Sequence, residues 1–510
     1  MRYGFVIDHN RCIGCHACTV ACKEEHNVPL GVYRTWVKYI EKGEFPDTKR
    51  YFGVLRCNHC DHAPCIEICP TAALFRRQDG IVDFDSERCI GCKSCMQACP
   101  YDALYIDPGS QTAAKCNFCA HRVEAGLEPA CVIVCPEQAI VAGDLDDRAG
   151  KIAAIVAQEK VRVRKPEKGT APKLFYVGID ADLLQPARVA AQPAFLWAEK
   201  KPAQGLRARP SGSPAPAPAG AAREVYDVAH PAPWGAKIAA YLWTKSIAAG
   251  ALLVAAVALA LGFEDAKGLL HAVAPAVALL FTAVTSLLLI FDLKRPERFY
   301  YLLTKPNLKS WLVLGGYLLV LYGAVASGWL LGALMYGFVP PAVIGSAGVL
   351  AAAVACYTAF LFRQAKGRDL WLSPLLFWHL LFQAAAAGAA VLLLCALGLG
   401  AGPFVTAALG KALAFALAGN LSLILLEVYV APHTEEGKQA LDLLTRGPWK
   451  KAFWIGAVGM GAALPLALLI GSGFAGEGIP AYLAPPVLAL AGLWIFEHLW
   501  VRAGQAVPLS

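Results

Sequence analysis

Charge is scarce in this chain of 510 residues: Asp, Glu, Lys and Arg make up 16%, against about 25% in ordinary soluble domains. With 57% hydrophobic residues and a mean hydropathy of +0.48, that shortage excludes a simple soluble protein. It also excludes global disorder, which needs the opposite balance. Cysteine almost vanishes after residue 135: only Cys356 and Cys395 follow, both in apolar runs, where they read as small core residues. The start MRYGFVIDHNRCIGC has no apolar stretch and no twin arginine. No export signal is visible there, and a secreted disulfide scaffold would need one. The net charge of +8 comes from basic residues beside apolar runs, not from a patch interleaved with aromatics, so no nucleic-acid partner is expected.

What is present divides into three zones. Residues 1–195 are mixed in polarity, with short β-like runs at 3–7, 81–84 and 175–179. Residues 196–233 hold a Pro/Ala/basic tract that reads as an extended linker unable to bury a core. From Trp234 to 510 long apolar stretches dominate: 237–262, 269–291, 310–334, 340–362, 371–398, 404–430, 452–472 and 481–501. Each approaches or exceeds the ~20 residues that span a bilayer. Lipid offers no hydrogen bonds to the backbone, so all eight are expected to be helices.

With eight spans, the loops after the second, fourth and sixth share a side with the N-terminal zone and the C-terminus. That side carries Lys294, Arg295, Arg298, Lys305, Lys309, Arg363, Lys366, Arg368, Lys438, Arg446, Lys450, Lys451 and Arg502; the opposite loops offer Lys267. The positive-inside rule then places the cysteine-rich zone in the cytoplasm, on the inner face of the cytoplasmic membrane. A rival explanation is that the basic loops dock that zone. The missing export signal favours the cytoplasmic side.

Sixteen of the 18 cysteines fall into four groups. They read Cys12-x2-Cys15-x2-Cys18-x3-Cys22, Cys57-x2-Cys60-x4-Cys65-x3-Cys69-Pro, Cys89-x2-Cys92-x2-Cys95-x3-Cys99-Pro and Cys116-x2-Cys119-x11-Cys131-x3-Cys135-Pro. Three thiolates on a tight loop hold three corners of a cubane, while the fourth points to the other cluster of a pair. Zinc also takes Cys-x2-Cys pairs but has no need of the four-cysteine run ending in Cys-Pro. Sixteen thiolates give four [4Fe–4S] clusters; group one departs slightly, ending in Cys22-Lys23.

Over about 185 residues this zone resembles the four-cluster ferredoxin-type electron-transfer subunits of the molybdopterin (DMSO reductase) superfamily, including the x11 gap before Cys131. The resemblance implies that the outer groups pair and the inner groups pair. One cluster would take Cys12, Cys15, Cys18 and Cys135, and a second Cys22, Cys116, Cys119 and Cys131. The third would take Cys57, Cys60, Cys65 and Cys99, and the fourth Cys69, Cys89, Cys92 and Cys95. Farther on, Asp292-Leu-Lys-Arg-Pro-Glu-Arg-Phe299, Pro306-Asn307 and Ser310-Trp311 resemble a signature of the polysulfide-reductase/NrfD-type membrane anchors. The stretch 363–371 with Ser373-Pro374 and His379 is similar to the same family. That resemblance implies eight spans, a quinone near the iron–sulfur unit and no haem. Fusion of the two units departs from the usual separate chains.

Ionisable groups inside spans are costly and usually functional. Lys245, Asp292, His379, Gln383, Glu427, Tyr429, Glu497 and His498 all fall in the half of the membrane nearest the clusters. Lys245, His379 and Glu427 are the expected quinone or proton residues; Asp292, Gln383, Tyr429 and His498 complete the expected quinone set. Plainer readings stand beside these. Asp292 would pair with Arg295 or Arg298, Lys245 would snorkel to the surface, and Glu427, Glu497 and His498 would sit at the interface. His271 and Lys411 lie toward the far side. Haem would need two facing histidines among His271, His379 and His498, and His271 is at the opposite surface.

The expected fold is therefore an α+β double ferredoxin-like iron–sulfur domain followed by an all-α eight-helix transmembrane bundle. The expected function is electron transfer through four clusters between a molybdopterin-containing catalytic partner and menaquinone or ubiquinone, with no substrate specificity of its own. A hydrogenase or cytochrome complex is the alternative partner, and a redox-sensing ion-translocating module the alternative class.

Overall fold

The computed structural model describes residues 1–191, 222–263, 268–473 and 479–510. The N-terminal half is built from short strands: β1 (Tyr3–Asp8), β2 (Thr35–Lys42), β3 (Lys49–Arg56), β4 (Leu74–Arg76), β5 (Val82–Phe84), β6 (Leu104–Ile106), β7 (Ala113–Lys115), β8 (Ile140–Asp144), β9 (Leu174–Val177), β10 (Ala190–Ala191) and β11 (Arg223–Tyr226). β1 lies between antiparallel β8 and parallel β9, which explains why Phe5, Val6 and Ile7 are buried in a row rather than alternately. A second sheet runs β10-β11-β2-β3, and β4-β5 and β6-β7 are separate hairpins.

β11 corrects one expectation. Residues 196–221 of the expected linker lie outside the described residues, but its last part joins the fold. Arg223 pairs with Glu41 at 2.6 Å, and Lys38 holds Glu224 at 2.8 Å, across the β2–β11 ladder. Cross-strand charge pairs and the β-prone Val225 and Tyr226 suit a strand lying between β10 and β2.

Helices α1 (Ala17–Glu25), α2 (Pro64–Ile68), α3 (Ser94–Ala98), α4 (Ala120–Glu124), α5 (Ala130–Ile133), α6 (Lys151–Gln158) and α7 (Ala181–Leu184) complete this half. The membrane half follows with α8 (Ala236–Ala260), α9 (Leu269–Asp292), a short α10 (Tyr301–Thr304), α11 (Trp311–Tyr336), α12 (Pro341–Gln364), α13 (Leu376–Gly398), α14 (Pro403–Tyr429), a surface helix α15 (Glu435–Thr445), α16 (Ala452–Gly471) and α17 (Ile479–Ala506). Eight of these are long and apolar enough to cross a membrane. α8 is the hub, packing on α9, α12, α13 and α17. A Cβ at Gly250 would run into the backbone of α13, and one at Gly388 into that of α8, so the two helices touch main chain to main chain.

The two halves meet through the loops rather than through apolar surface alone. Asp292, expected to pair with Arg295 or Arg298, instead holds Lys93 at 2.7 Å. The reason is that both arginines are occupied: Arg295 donates to the Ser110 carbonyl at 2.9 Å, and Arg298 to those of Ser86 at 2.7 Å and Cys89 at 3.1 Å. Asn307 donates to the Cys69 carbonyl at 2.8 Å and Ser310 to that of Ile68 at 2.7 Å. Arg368 and Gln505 clasp the Gln97 side chain, at 2.8 and 2.6 Å. Near the same clasp, Arg164 donates to the Leu509 carbonyl at 2.7 Å, and Lys168 pairs with Asp369.

Candidate functional site

The cysteine loops share one backbone device. The residue before the second cysteine of each of the four groups has positive φ: Gly14 at 71°, His59 at 46°, Gly91 at 67° and Phe118 at 63°. This turn aims amides inward at sulfur. The amides of His59 and Gly91 donate to Cys57 and Cys89 at 3.5 and 3.4 Å, and those of Ala113 and Ala139 to Cys89 and Cys135 at 3.4 and 3.3 Å. Glycine suits such a turn best; His59 and Phe118 adopt it within a packed core, with their rings 5.4 Å apart.

The fold then gathers the thiols. Cys12 lies beside Cys15 and Cys135, and Cys18 beside Cys12. Cys22 is crowded by Cys116, Cys119 and Cys131. Cys65 faces Cys57, Cys60 and Cys99, while Cys69, Cys89, Cys92 and Cys95 line one small cavity. Neighbours also link successive sets: Cys18 with Cys131, Cys57 with Cys116, and Cys65 with Cys95. The sets therefore form a line. It begins at the exposed Cys15 and ends at Cys69, whose carbonyl Asn307 grips at the edge of the helix bundle.

The donor set suits iron–sulfur cubanes. All these cysteines are free thiols, and most are buried. Burial pushes the thiol of Cys18 up to about 11 and those of Cys92 and Cys119 up to about 12. Cysteine binds metal as the thiolate, so loading releases the protons that burial favours.

In the membrane half a lipid-facing cavity of about 580 Å³ opens between α11, α12 and α13. Trp311, Tyr317, Tyr357, Phe360 and Phe377 form its aromatic wall, with Cys356 and Ala353 among the rest. Trp311 follows directly on Ser310, so the cavity mouth is one residue from the grip on Ile68 and Cys69. Behind the wall lies a buried polar group. Lys245 is 0% exposed and donates to the Ala355 carbonyl at 2.6 Å, its ammonium 5.4 Å from the Tyr357 ring centre. The hydroxyl of Tyr357 meets that of Tyr241 at 2.6 Å, and Tyr241 meets Thr358 at 2.8 Å. Glu497 is buried near Lys245 and reaches Ser246 at 3.4 Å.

A second buried group surrounds Glu427. Ser373 donates to it at 2.6 Å; His379 and His433 lie 3.8 and 3.5 Å from its oxygens. His379 stacks on Phe496 at 6.0 Å. Polar atoms of His379, Gln383, Asn420, Glu427 and Glu497 are buried without a partner in the structure, the condition under which ordered water or a polar ligand group is expected.

Of the residues expected in the quinone set, Lys245 thus stands behind the cavity wall, and His379, Gln383 and Glu427 are buried together. Asp292 serves the docking loop. Tyr429 is 72% exposed at the outer surface, away from the others, because the last turn of α14 points it outward. His498 is half-buried against Trp494, on a different face of α17 from Glu497. Sequence reasoning assigned no role to the aromatic wall. Its one available signal was Trp311 closing the Ser310-Trp311 pair; Tyr357, Phe360 and Phe377 look like ordinary apolar-run residues.

Comparison with known proteins agrees with this division. Residues 224–508 match the family described as Polysulphide reductase, NrfD, residues 48–145 a 4Fe-4S dicluster domain, and residues 9–28 a 4Fe-4S binding domain. A tetrathionate reductase subunit of Salmonella typhimurium is 46% identical over 202 residues, 39% of this chain and 80% of its own length. A polysulfide reductase polypeptide of Wolinella succinogenes is 43% identical over 181 residues, 34% of this chain and 94% of its own. The arsenate respiratory reductase iron-sulfur subunit of a Shewanella species is 35% identical over 227 residues, 35% of this chain and 96% of its own. An iron–sulfur electron-transfer unit is here fused to a multi-pass membrane anchor, and the chain belongs to the polysulphide reductase NrfD family.

Proposed function

We propose that the chain passes electrons through four [4Fe–4S] clusters between a catalytic partner and a quinone bound in the lipid-facing cavity. The observation that carries this reading is the junction at 307–311. Asn307 and Ser310 hold the cysteine set nearest the bundle, and Trp311 begins the cavity wall. The clusters, when bound, supply one-electron carriers. The four sets that would hold them are Cys12/15/18/135, Cys22/116/119/131, Cys57/60/65/99 and Cys69/89/92/95.

The protein's own residues do the rest. The aromatic wall excludes water and admits a flat ring from the bilayer, and the volume lies within the usual range of ligand pockets. Reduction of a quinone consumes two electrons and two protons. Tyr357 belongs to both the wall and the hydroxyl pair with Tyr241, beside the Lys245 ammonium, so titratable hydrogens stand next to the ring site. His379, Glu427 and His433 extend the buried polar groups toward the loop surface on the cluster side.

The partner is read as a molybdopterin-containing reductase subunit, a reading supported by relatives that are subunits of tetrathionate, polysulfide and arsenate respiratory reductases. The cluster half is read as cytoplasmic. Docking engages Arg295, Arg298 and Arg368, yet Arg446, Lys450 and Lys451 remain exposed on the same side, as the positive-inside rule requires. Protease added to right-side-out cells is expected to spare the cluster half; digestion there reverses the side. Anaerobically purified complex is expected to hold about sixteen iron and sixteen sulfide per chain, four of each per cubane. A large molybdenum protein is expected to accompany it. Nickel or haem in the partner would refute the molybdopterin reading, and absence of cluster reduction or oxidation by quinone analogues would refute the quinone reading.

A further inference from the structure

Arg56 ends β3, next to Cys57, and its side chain is 1% exposed. A buried guanidinium is expensive unless an anion faces it. Among the described residues Arg56 makes no ion pair with a carboxylate. Its Nη1 donates to Cys131 Sγ at 3.0 Å, and its charge faces the sulfurs of Cys131, Cys116 and Cys18. Its Nε and Nη2 have no partner in the structure. The Phe5 ring covers it, 4.7 Å from the guanidinium carbon. β1 and β3 therefore hold a fixed positive charge between two thiol sets, Cys22/116/119/131 and Cys12/15/18/135. Elsewhere the buried cations at the thiol sets are compensated differently. Lys93 pairs with Asp292 at 2.7 Å; Lys115 faces Cys57 and Cys65 of another set, but shares its hydrogens with the carbonyls of Val82 and Cys116.

From this geometry we infer that Arg56 is a potential-setting residue: its uncompensated charge and its bond to Cys131 favour the reduced state of the cluster on Cys22, Cys116, Cys119 and Cys131, and, more weakly, of the cluster that includes Cys18. One added electron makes the cluster more negative. A fixed cation 3.0 Å from a ligand sulfur stabilises that state more than the oxidised one, as hydrogen bonds to sulfur and nearby charge generally do in such sites. The unpartnered Nε and Nη2 are the donors left for the remaining sulfurs of the bound cluster. The inference rests on the assignment of these cysteines to clusters.

The test is an electron-paramagnetic-resonance redox titration of the full chain in membranes, with iron and sulfide counted on the same samples. Arg56→Gln is expected to make one cluster about tenfold or more harder to reduce, a hydrogen bond to a charged group being replaced by a neutral one. For a one-electron couple that is a midpoint about 59 mV lower. Arg56→Lys is expected to keep most of the wild-type value, and the clusters on Cys57/60/65/99 and Cys69/89/92/95 should not move. Should the glutamine variant fail to load four clusters, Arg56→Met is read instead: it removes the charge while keeping an unbranched side chain, and one midpoint should fall likewise. Full iron with unchanged midpoints in the glutamine variant, or in the methionine variant where that one is read, overturns the inference. Wild-type protein lacking iron and sulfide overturns the cluster assignment itself.

Discussion

The two halves of this molecule bury charge in opposite ways. In the cluster half, buried cations such as Arg56 face sulfur, and their burial makes sense once iron–sulfur anions are bound. In the membrane half, buried ionisable groups face one another or the backbone: Lys245 with Ala355, Glu427 with Ser373 and His433. The first arrangement is rigid and fixes the electrical environment of electron carriers. The second leaves polar atoms of His379, Gln383 and Glu497 open, as sites that pass protons require. The 307–311 segment is where one arrangement hands over to the other.

The largest expected effect breaks that handover. Cys69→Ser should remove the cluster nearest the bundle, lowering iron from about sixteen to about twelve per chain. Quinone-linked turnover should be abolished while the other cluster signals persist. Next, Ala353→Trp fills the cavity between α11, α12 and α13; quinone-linked turnover should fall more than about tenfold with iron unchanged. Removing a proton-handling group should cost similarly or less: Lys245→Ala or His379→Ala should slow turnover about 10–100-fold, below the usual range for a direct acid–base residue. Unchanged turnover in both would mean the pocket is misplaced.

Smaller effects sharpen the contrast at the docking surface. Asp292→Asn leaves Lys93 buried without its anion and should destabilise the junction by about 3 kcal/mol, read as a lower unfolding midpoint. A last effect depends on pH. Burial alone would lower the pKa of His230, but Asp102 at 2.9 Å and Asp227 at 3.7 Å outweigh it and raise the value to about 10. A raised histidine pKa stabilises the fold fully below about pH 6.5, its unfolded value. The contribution declines as pH rises and is lost above about 10. The gap in melting temperature between wild type and His230→Gln should therefore be widest near pH 6 and close as pH approaches 10.

Much of the fold was legible because its signals are local. Cysteine spacing is a loop property, and the positive φ at Gly14, His59, Gly91 and Phe118 recurs at one offset in all four groups. Apolar runs report helices directly, and the eight spans end within a few residues of the expected limits except at two: the fifth begins at Leu376 because Asp369–Leu372 makes a separate turn and Pro374 intervenes, and the eighth runs on to Ala506. What was illegible depends on residues distant in sequence. Lys93 and Asp292 are 199 positions apart, so nearby arginines looked like the natural partners. The cavity needs faces of three helices, and nothing in an apolar run says which aromatic faces lipid. Tyr429 was expected inward because depth along a span can be counted but rotation about its axis cannot, once a helix is apolar all round. Arg56 carries no motif; only the approach of β1 and β3 gives it meaning.

The most direct test of the account mixes the purified full chain, its clusters reduced beforehand, with a naphthoquinone under anaerobic conditions. Cluster reoxidation is followed by absorbance, in wild type and in Ala353→Trp. Fast reoxidation in the wild type, slowed at least about tenfold in the variant at equal iron content, is the expected result. Equal rates in the two proteins, or no reoxidation in either, would contradict a quinone site in the bundle fed by the cysteine sets.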